Sequence, residues 1–138
     1  MVQALFIHQN FPGQYRHLAP VIAARPGAQV IGLGERENIS LPGVTHIRYP
    51  EPQGAGEKTH RYLRSMEAAI RRAQNVARAL LDLRSKGFHP DIICCHPGWG
   101  EGMFLPDIFP RAKLLQYCEY HFTTTGGDVG FDPAHRVE

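Results

Sequence analysis

The sequence predicts an α/β domain with a layer of helices on each side of a mostly parallel sheet. Three observations carry this. Short apolar runs alternate with helix-length amphipathic stretches along most of the chain. Two of the runs, Ala4–His8 and Asp91–Cys95, are apolar without alternation, as in strands covered on both faces. Turn chemistry such as Gln9–Gly13 and Pro97–Gly100 follows these runs. Parallel strands joined by right-handed crossovers form a Rossmann-like three-layer αβα sandwich of about five strands. The expected strand order is third, second, first, fourth, fifth.

The elements follow in order. Ala4–His8 is the first strand. Gln14–Ala24 reads as a helix, with Tyr15, Leu18, Ala19 and Ile22 at helical spacing. Pro20 inside it predicts a kink or a short first segment, and Arg25-Pro26-Gly27 ends it. Gln29–Gly34 and Val44–Tyr49 are the second and third strands. Their link is too short for a full helix, so it is expected to be irregular or hairpin-like. Pro50–Thr59 is a Pro- and Gly-rich polar loop, expected to be exposed and mobile. Thr59 is the expected N-cap of one long amphipathic helix over His60–Ser85, closed by Gly87. Its apolar stripe is Leu63, Met66, Ile70, Ala73, Ala77, Leu80 and Leu81. Asp91–Cys95 is the fourth strand, Glu101–Leu105 a short helical segment, and Ala112–Cys118 the fifth strand. No strong period continues from Glu119. Residues 1–138 read as one domain.

Composition bounds the function. The 138 residues are 43% hydrophobic and 20% charged, enough for an ordinary core and unlike a disordered chain. No apolar run reaches the ~18 residues of a membrane helix. The first ten residues lack the basic region and apolar length of a secretory signal. A formal net charge of +2 does not point to nucleic acid. Three cysteines, with Cys94 and Cys95 adjacent, are a poor disulfide framework and fit a reducing cytoplasm.

In open α/β sheets, ligands bind beyond the carboxyl ends of the strands, where strand order reverses. That point falls between the first and fourth strands. It gathers His8, Gln9, Asn10 and Gly13 with His96, Trp99 and Glu101, and the loop after the fifth strand adds Glu119 and His121. The histidines suit either ligand contact or a structural role. Gly13 suits either close ligand approach or a tight turn, and Trp99 either a sugar platform or the core. Glu101 suits a ligand contact or the dipole of a helix start. Glu119 and His121 share a face if extended, which suits acid–base work, hydroxyl binding or a solvated loop.

Cys94, Cys95, His96, Cys118 and His121 are soft donors on neighbouring strands. Adjacent strand residues point to opposite faces, however, and no paired-cysteine spacing is present, so no metal or other cofactor is expected. Thiols inside the sheet are expected to be inert. Gly32-Leu33-Gly34 lacks the third glycine of a dinucleotide fingerprint and follows the second strand rather than the first. Neither a Walker A sequence nor an Asp-x-Asp pair is present. The long helix carries Arg61, Arg64, Arg71, Arg72, Arg78, Arg84 and Lys86 against Glu67 and Asp82. That reads either as a solvated face or as a membrane-surface contact through residues 60–86.

The stretches FIHQNFPGQYRHLAPVIAA, HPDIICCHPGWGEGMFLPDIFP and YCEYHFTTTGGDVGFDP resemble the N-terminal domain of bacterial family 4 glycosyltransferases. The resemblance implies a GT-B architecture, two Rossmann-like domains across a cleft, with the N-terminal one holding mainly the acceptor. It implies transfer of a sugar from a nucleotide-sugar donor to a sugar or lipid-linked acceptor, with retention of configuration. By position, Gly13 matches a glycine near the donor phosphates, although the family's paired glycine is missing. His96 matches a histidine that contacts the donor sugar. Gln9, Asn10, Trp99, Glu101, Glu119 and His121 would line the sugar or acceptor pocket. The donor domain is not in this sequence, so the chain reads as a truncated half, inactive alone. Its expected place is the cytoplasm, peripheral to the inner membrane surface. A homodimer through the fifth strand or the tail is a further expectation. The other readings are a stand-alone flavodoxin-like binding or regulatory module using the same crevice, and a zinc hydrolase.

Overall fold

The computed structural model describes residues 1–120; His121 and the rest of the expected tail lie outside the described residues. Five strands form one sheet: β1 (Gln3–Ile7), β2 (Gln29–Gly34), β3 (Val44–Arg48), β4 (Ile92–Cys95) and β5 (Lys113–Gln116). The order is β3-β2-β1-β4-β5 and every neighbouring pair is parallel. The predicted class and strand order are therefore those of the molecule, and the β1/β4 boundary is the switch point.

Alternate residues of β1 serve two cores. Leu5 and Ile7 pack with Ile31, Leu33, Ile93, Cys95 and the buried face of α2 (Arg64–Ser85). Ala4 and Phe6 pack with Phe11, Tyr15, Ala19, Val30 and Cys94 on the side of α1 (Leu18–Ala23). Each such large side chain contributes about 2 kcal/mol of transfer free energy, so both faces of the central strands must be covered. Cys94 and Cys95 are buried on opposite faces, and burial raises both thiols, Cys95 to about 12. Both lie inside the sheet, as expected.

The first helix is split. Gly13–Arg16 is a 3-10 turn, and α1 begins only at Leu18. Pro20 sits in the first turn of α1, where an N–H has no partner in the helix, so the break falls upstream of the proline. The link between β2 and β3 contains no helix, and the strands it joins are parallel, which removes the hairpin alternative.

The long helix starts with a 3-10 turn at Arg61–Leu63, and His60, not Thr59, caps it: the His60 ring accepts from Tyr62 N. The Thr59 hydroxyl instead donates to Glu67. The expected apolar stripe is also corrected. Ala73 and Leu80 are buried, but the line they belong to continues through Val76 and Leu83, while Leu63, Met66, Ile70 and Leu81 are exposed. A 22-residue helix spans about 33 Å and outruns strands of about 13–20 Å, so its first turns have no sheet beneath them.

All seven cations of this element have partners inside the domain. Arg71, Arg72 and Lys86 pair with Glu67, Glu35 and Asp82. Arg61, Arg64, Arg78 and Arg84 bond Tyr62 Oη, Gly56 O, Asn75 and Ile108 O. Four of these partners are neutral, so the run is tied to the domain by hydrogen bonds while Arg61, Arg64, Arg78 and Arg84 keep their charge. The helical segment expected at Glu101–Leu105 lies later, as α3 (Leu105–Ile108), and residues 101–104 are turn. β5 is an edge of the described sheet, with Leu115 exposed. Among the described residues no helix is long and apolar enough to cross a membrane.

Candidate functional site

The site starts where the β1 and β4 ladders end. His8 N donates to Leu33 O at 3.1 Å and His96 N to Ile7 O at 2.9 Å, so both histidines sit one residue past their strands. Their rings lie 4.8 Å apart, and each residue is less than a tenth exposed. Trp99 stacks on His96 at 5.1 Å and 24°. Hydrogen bonds set the ring states. His8 Nδ1 accepts from Asn10 N at 2.9 Å. His96 Nδ1 accepts from Gly98 N at 3.3 Å, which leaves the proton on Nε2, directed at Glu119 Oε2 at 3.1 Å. Burial lowers the pKa of His8, so it is neutral near pH 7.

An open pocket of about 450 Å³ lies above this cluster. It is lined by His96, Pro97, Gly98, Trp99, Tyr117, Cys118, Glu119 and Tyr120. The predicted residues divide around it. His96, Trp99 and Glu119 line it together. Gln9 turns away: its Nε2 donates to Glu35 Oε2 at 3.3 Å. Asn10 is exposed, and its backbone closes the loop, donating to His8 and accepting from Gly13 N at 3.1 Å. The Gly13 N–H is therefore used within the turn rather than turned outward to an anion. Gly13 has φ +45°, and an added Cβ would lie 2.7 Å from the His8 ring, so the tight turn and the packing of His8 together account for glycine there.

Glu101 is corrected most. It is 1% exposed and is not among the residues that line this pocket. Its Oε2 accepts from Trp99 N at 3.1 Å, and Oε1 is buried without a protein partner. It belongs to a second polar group behind the crevice that sequence reasoning missed. Arg72 Nε meets Glu35 Oε1 at 2.7 Å, with both side chains 12% exposed. The fully buried Tyr49 hydroxyl, without a protein partner, completes the group, and burial raises its pKa. Glu35, Tyr49 and Glu101 follow β2, β3 and β4, so the strand-end rule that selected His8 and His96 selects them too. Arg72 read only as one charge of a basic helix.

Burial is the main cause that raises the pKa of Glu101, ahead of the opposing pull of its hydrogen bonds and Arg72. A carboxyl raised on folding contributes its stability fully below the unfolded value of ~4.3, and that contribution is lost as pH rises through the folded value. Glu101→Gln keeps an oxygen for Trp99 N and removes the titration. The expected result is that the stability of E101Q relative to the parent grows from pH 4 to pH 8, read by urea denaturation at each pH. A difference that is flat or falls with pH would show that Glu101 is not held toward its protonated form.

No group of three or more His, Cys, Asp or Glu side chains among the described residues is placed to hold a metal ion. The sequence model of the glycosyl transferase family 4 group matches residues 26–138, which takes in β2 to β5 and the pocket-lining residues but begins after the His8–Gly13 loop. No curated protein and no solved structure matches the chain.

Proposed function

The chain belongs to the glycosyl transferase family 4 group, and from that premise we propose that it is the acceptor-side half of a retaining GT-B transferase that uses a nucleotide-sugar donor. The observation that supports this most is the pocket beyond the carboxyl ends of β4 and β5, beside the β1/β4 switch point, where the Nε2–H of His96, the Trp99 ring and the Glu119 carboxylate converge. A sugar ring needs such a surface: an apolar wall for its C–H face and directional polar groups for its hydroxyls.

In this reading His96 donates to a sugar hydroxyl from Nε2, because Gly98 N already holds Nδ1. Trp99 and Tyr117 limit how the ring can lie, and Glu119 accepts from a second hydroxyl. Charge on the departing diphosphate is stabilised by preorganised donors of the partner domain rather than by this half. The family match does not favour the stand-alone flavodoxin-like reading.

The test is sugar transfer by the enzyme that carries this domain, with His96→Ala. Losing one hydrogen bond at the reacting sugar predicts a fall in kcat/KM of at least ~10-fold, with the circular dichroism unchanged. Unchanged turnover in a folded variant would remove His96 from the site.

A further inference from the structure

We infer that Glu101 is a positioning residue, which fixes Trp99 at the wall of the sugar crevice and so sets sugar affinity without touching the sugar. The inference rests on the reading of this crevice as a sugar site and goes beyond it to the group that holds the crevice in shape.

Burial does not hold Trp99 in its pose. The residue is 40% exposed; its ring rests on His96 at 5.1 Å and 24° and meets the His8 ring edge-on at 6.0 Å. Such ring contacts are weak beside the burial that fixes a core side chain, so the backbone must supply the rest. On one side, Gly98 N bonds His96 Nδ1 at 3.3 Å, and an added Cβ on Gly98 would lie 2.9 Å from that ring. On the other, Gly100 lies against α2, where an added Cβ would meet Ala69 O at 2.4 Å. Between the two glycines the Trp99 N–H donates to Glu101 Oε2 at 3.1 Å. The backbone of the tryptophan is thus tied by the carboxyl two residues on.

Folding alone does not ask for a carboxyl at this place. Glu101 is 1% exposed, and burial is the main cause that raises its pKa. Arg72, whose charge pulls the other way, has its Nε on Glu35 at 2.7 Å. A methionine is of similar length and has no charge to desolvate, and the Trp99 amide it released could bond water instead. What methionine lacks is an acceptor at a fixed position. The carboxyl therefore contributes geometry at Trp99 rather than stability.

The test compares Glu101→Met, Glu101→Gln and Trp99→Ala. In the chain as it stands, the stacked Trp99 ring shifts the His96 ring protons upfield, and NMR reads that shift directly. Glu101→Met is expected to lose at least about half of it, with a urea midpoint at pH 7 no lower than the parent's. Glu101→Gln keeps an acceptor for Trp99 N and should retain the shift. In the enzyme that carries this domain, Glu101→Met should raise KM for the sugar substrate at least ~3-fold with kcat within ~2-fold, in the direction of Trp99→Ala, and Glu101→Gln should keep the parent KM. Four outcomes would overturn the inference and leave the sugar site standing: an undiminished shift in Glu101→Met, a lost shift in Glu101→Gln, an unchanged KM in Glu101→Met where Trp99→Ala raises it, or a Glu101→Met chain that unfolds or melts well below the parent. If Trp99→Ala itself leaves KM unchanged, the sugar-site reading falls, and the effect on affinity falls with it.

Discussion

Gly100→Ala is expected to cost about 3 kcal/mol or more of stability, a large share of the ~5–15 kcal/mol that holds such a domain. Two causes add. Gly100 has φ +106°, where a side chain is strained. An added Cβ would also lie 2.4 Å from the backbone oxygen of Ala69, within α2. Helix backbone cannot yield as a flexible side chain would, so the Pro97–Gly102 loop must lift. That loop carries Trp99, so the single tryptophan should lose its stack on His96 and become more open to acrylamide. Gly87→Ala separates the causes, because Gly87 has φ +91° with nothing within 4 Å of the added carbon. It should cost only ~1–2 kcal/mol. Urea denaturation of the two variants side by side decides it. If Gly100→Ala costs no more than Gly87→Ala, the loop does not rest on α2.

Arg72→Met should be nearly as damaging, at about 3–5 kcal/mol. It leaves the Glu35 carboxylate, 12% exposed, without the guanidinium 2.7 Å away. Gln9, which donates to the other oxygen of Glu35 at 3.3 Å, offers a weaker and uncharged substitute. The double variant Arg72→Met, Glu35→Gln should recover most of the loss, because the cost of the single change is a stranded charge rather than a lost attraction. A double variant no more stable than Arg72→Met alone would show that the arginine acts by packing its stem. The pair joins β2 to α2 beneath Glu101, so its loss should also loosen the His96–Trp99 stack, seen as a shift in Trp99 emission.

The two results depend on different information. The alternation of apolar runs and amphipathic stretches determined the α/β class, the strand order and the switch point. This works because burial on both faces demands continuous apolar strands such as Leu5–Ile7 and Ile93–Cys95. The same rule brought His8, His96, Trp99 and Glu119 to one place, since a parallel sheet sends all its strand ends the same way. The resemblance to family 4 transferases was also legible in the residues, and the family match bears it out over 26–138.

Tertiary structure alone decided the rest. Helical spacing marked Leu63, Met66 and Ile70 as core, but a helix longer than the sheet beneath it leaves part of its apolar stripe uncovered. Charge counting made residues 60–86 a basic face, and it could not show that Arg72, Arg84 and Arg64 reach groups 37, 24 and 8 residues distant. Glu101 read as a pocket residue because of its place in the chain. The turn that brings its carboxylate back to Trp99 N buries it, and a sequence cannot show which way a loop carboxylate turns. Periodicity records which residues prefer to leave water. Which of them do, and which charges find partners, depends on the lengths and contacts of elements far apart in the chain.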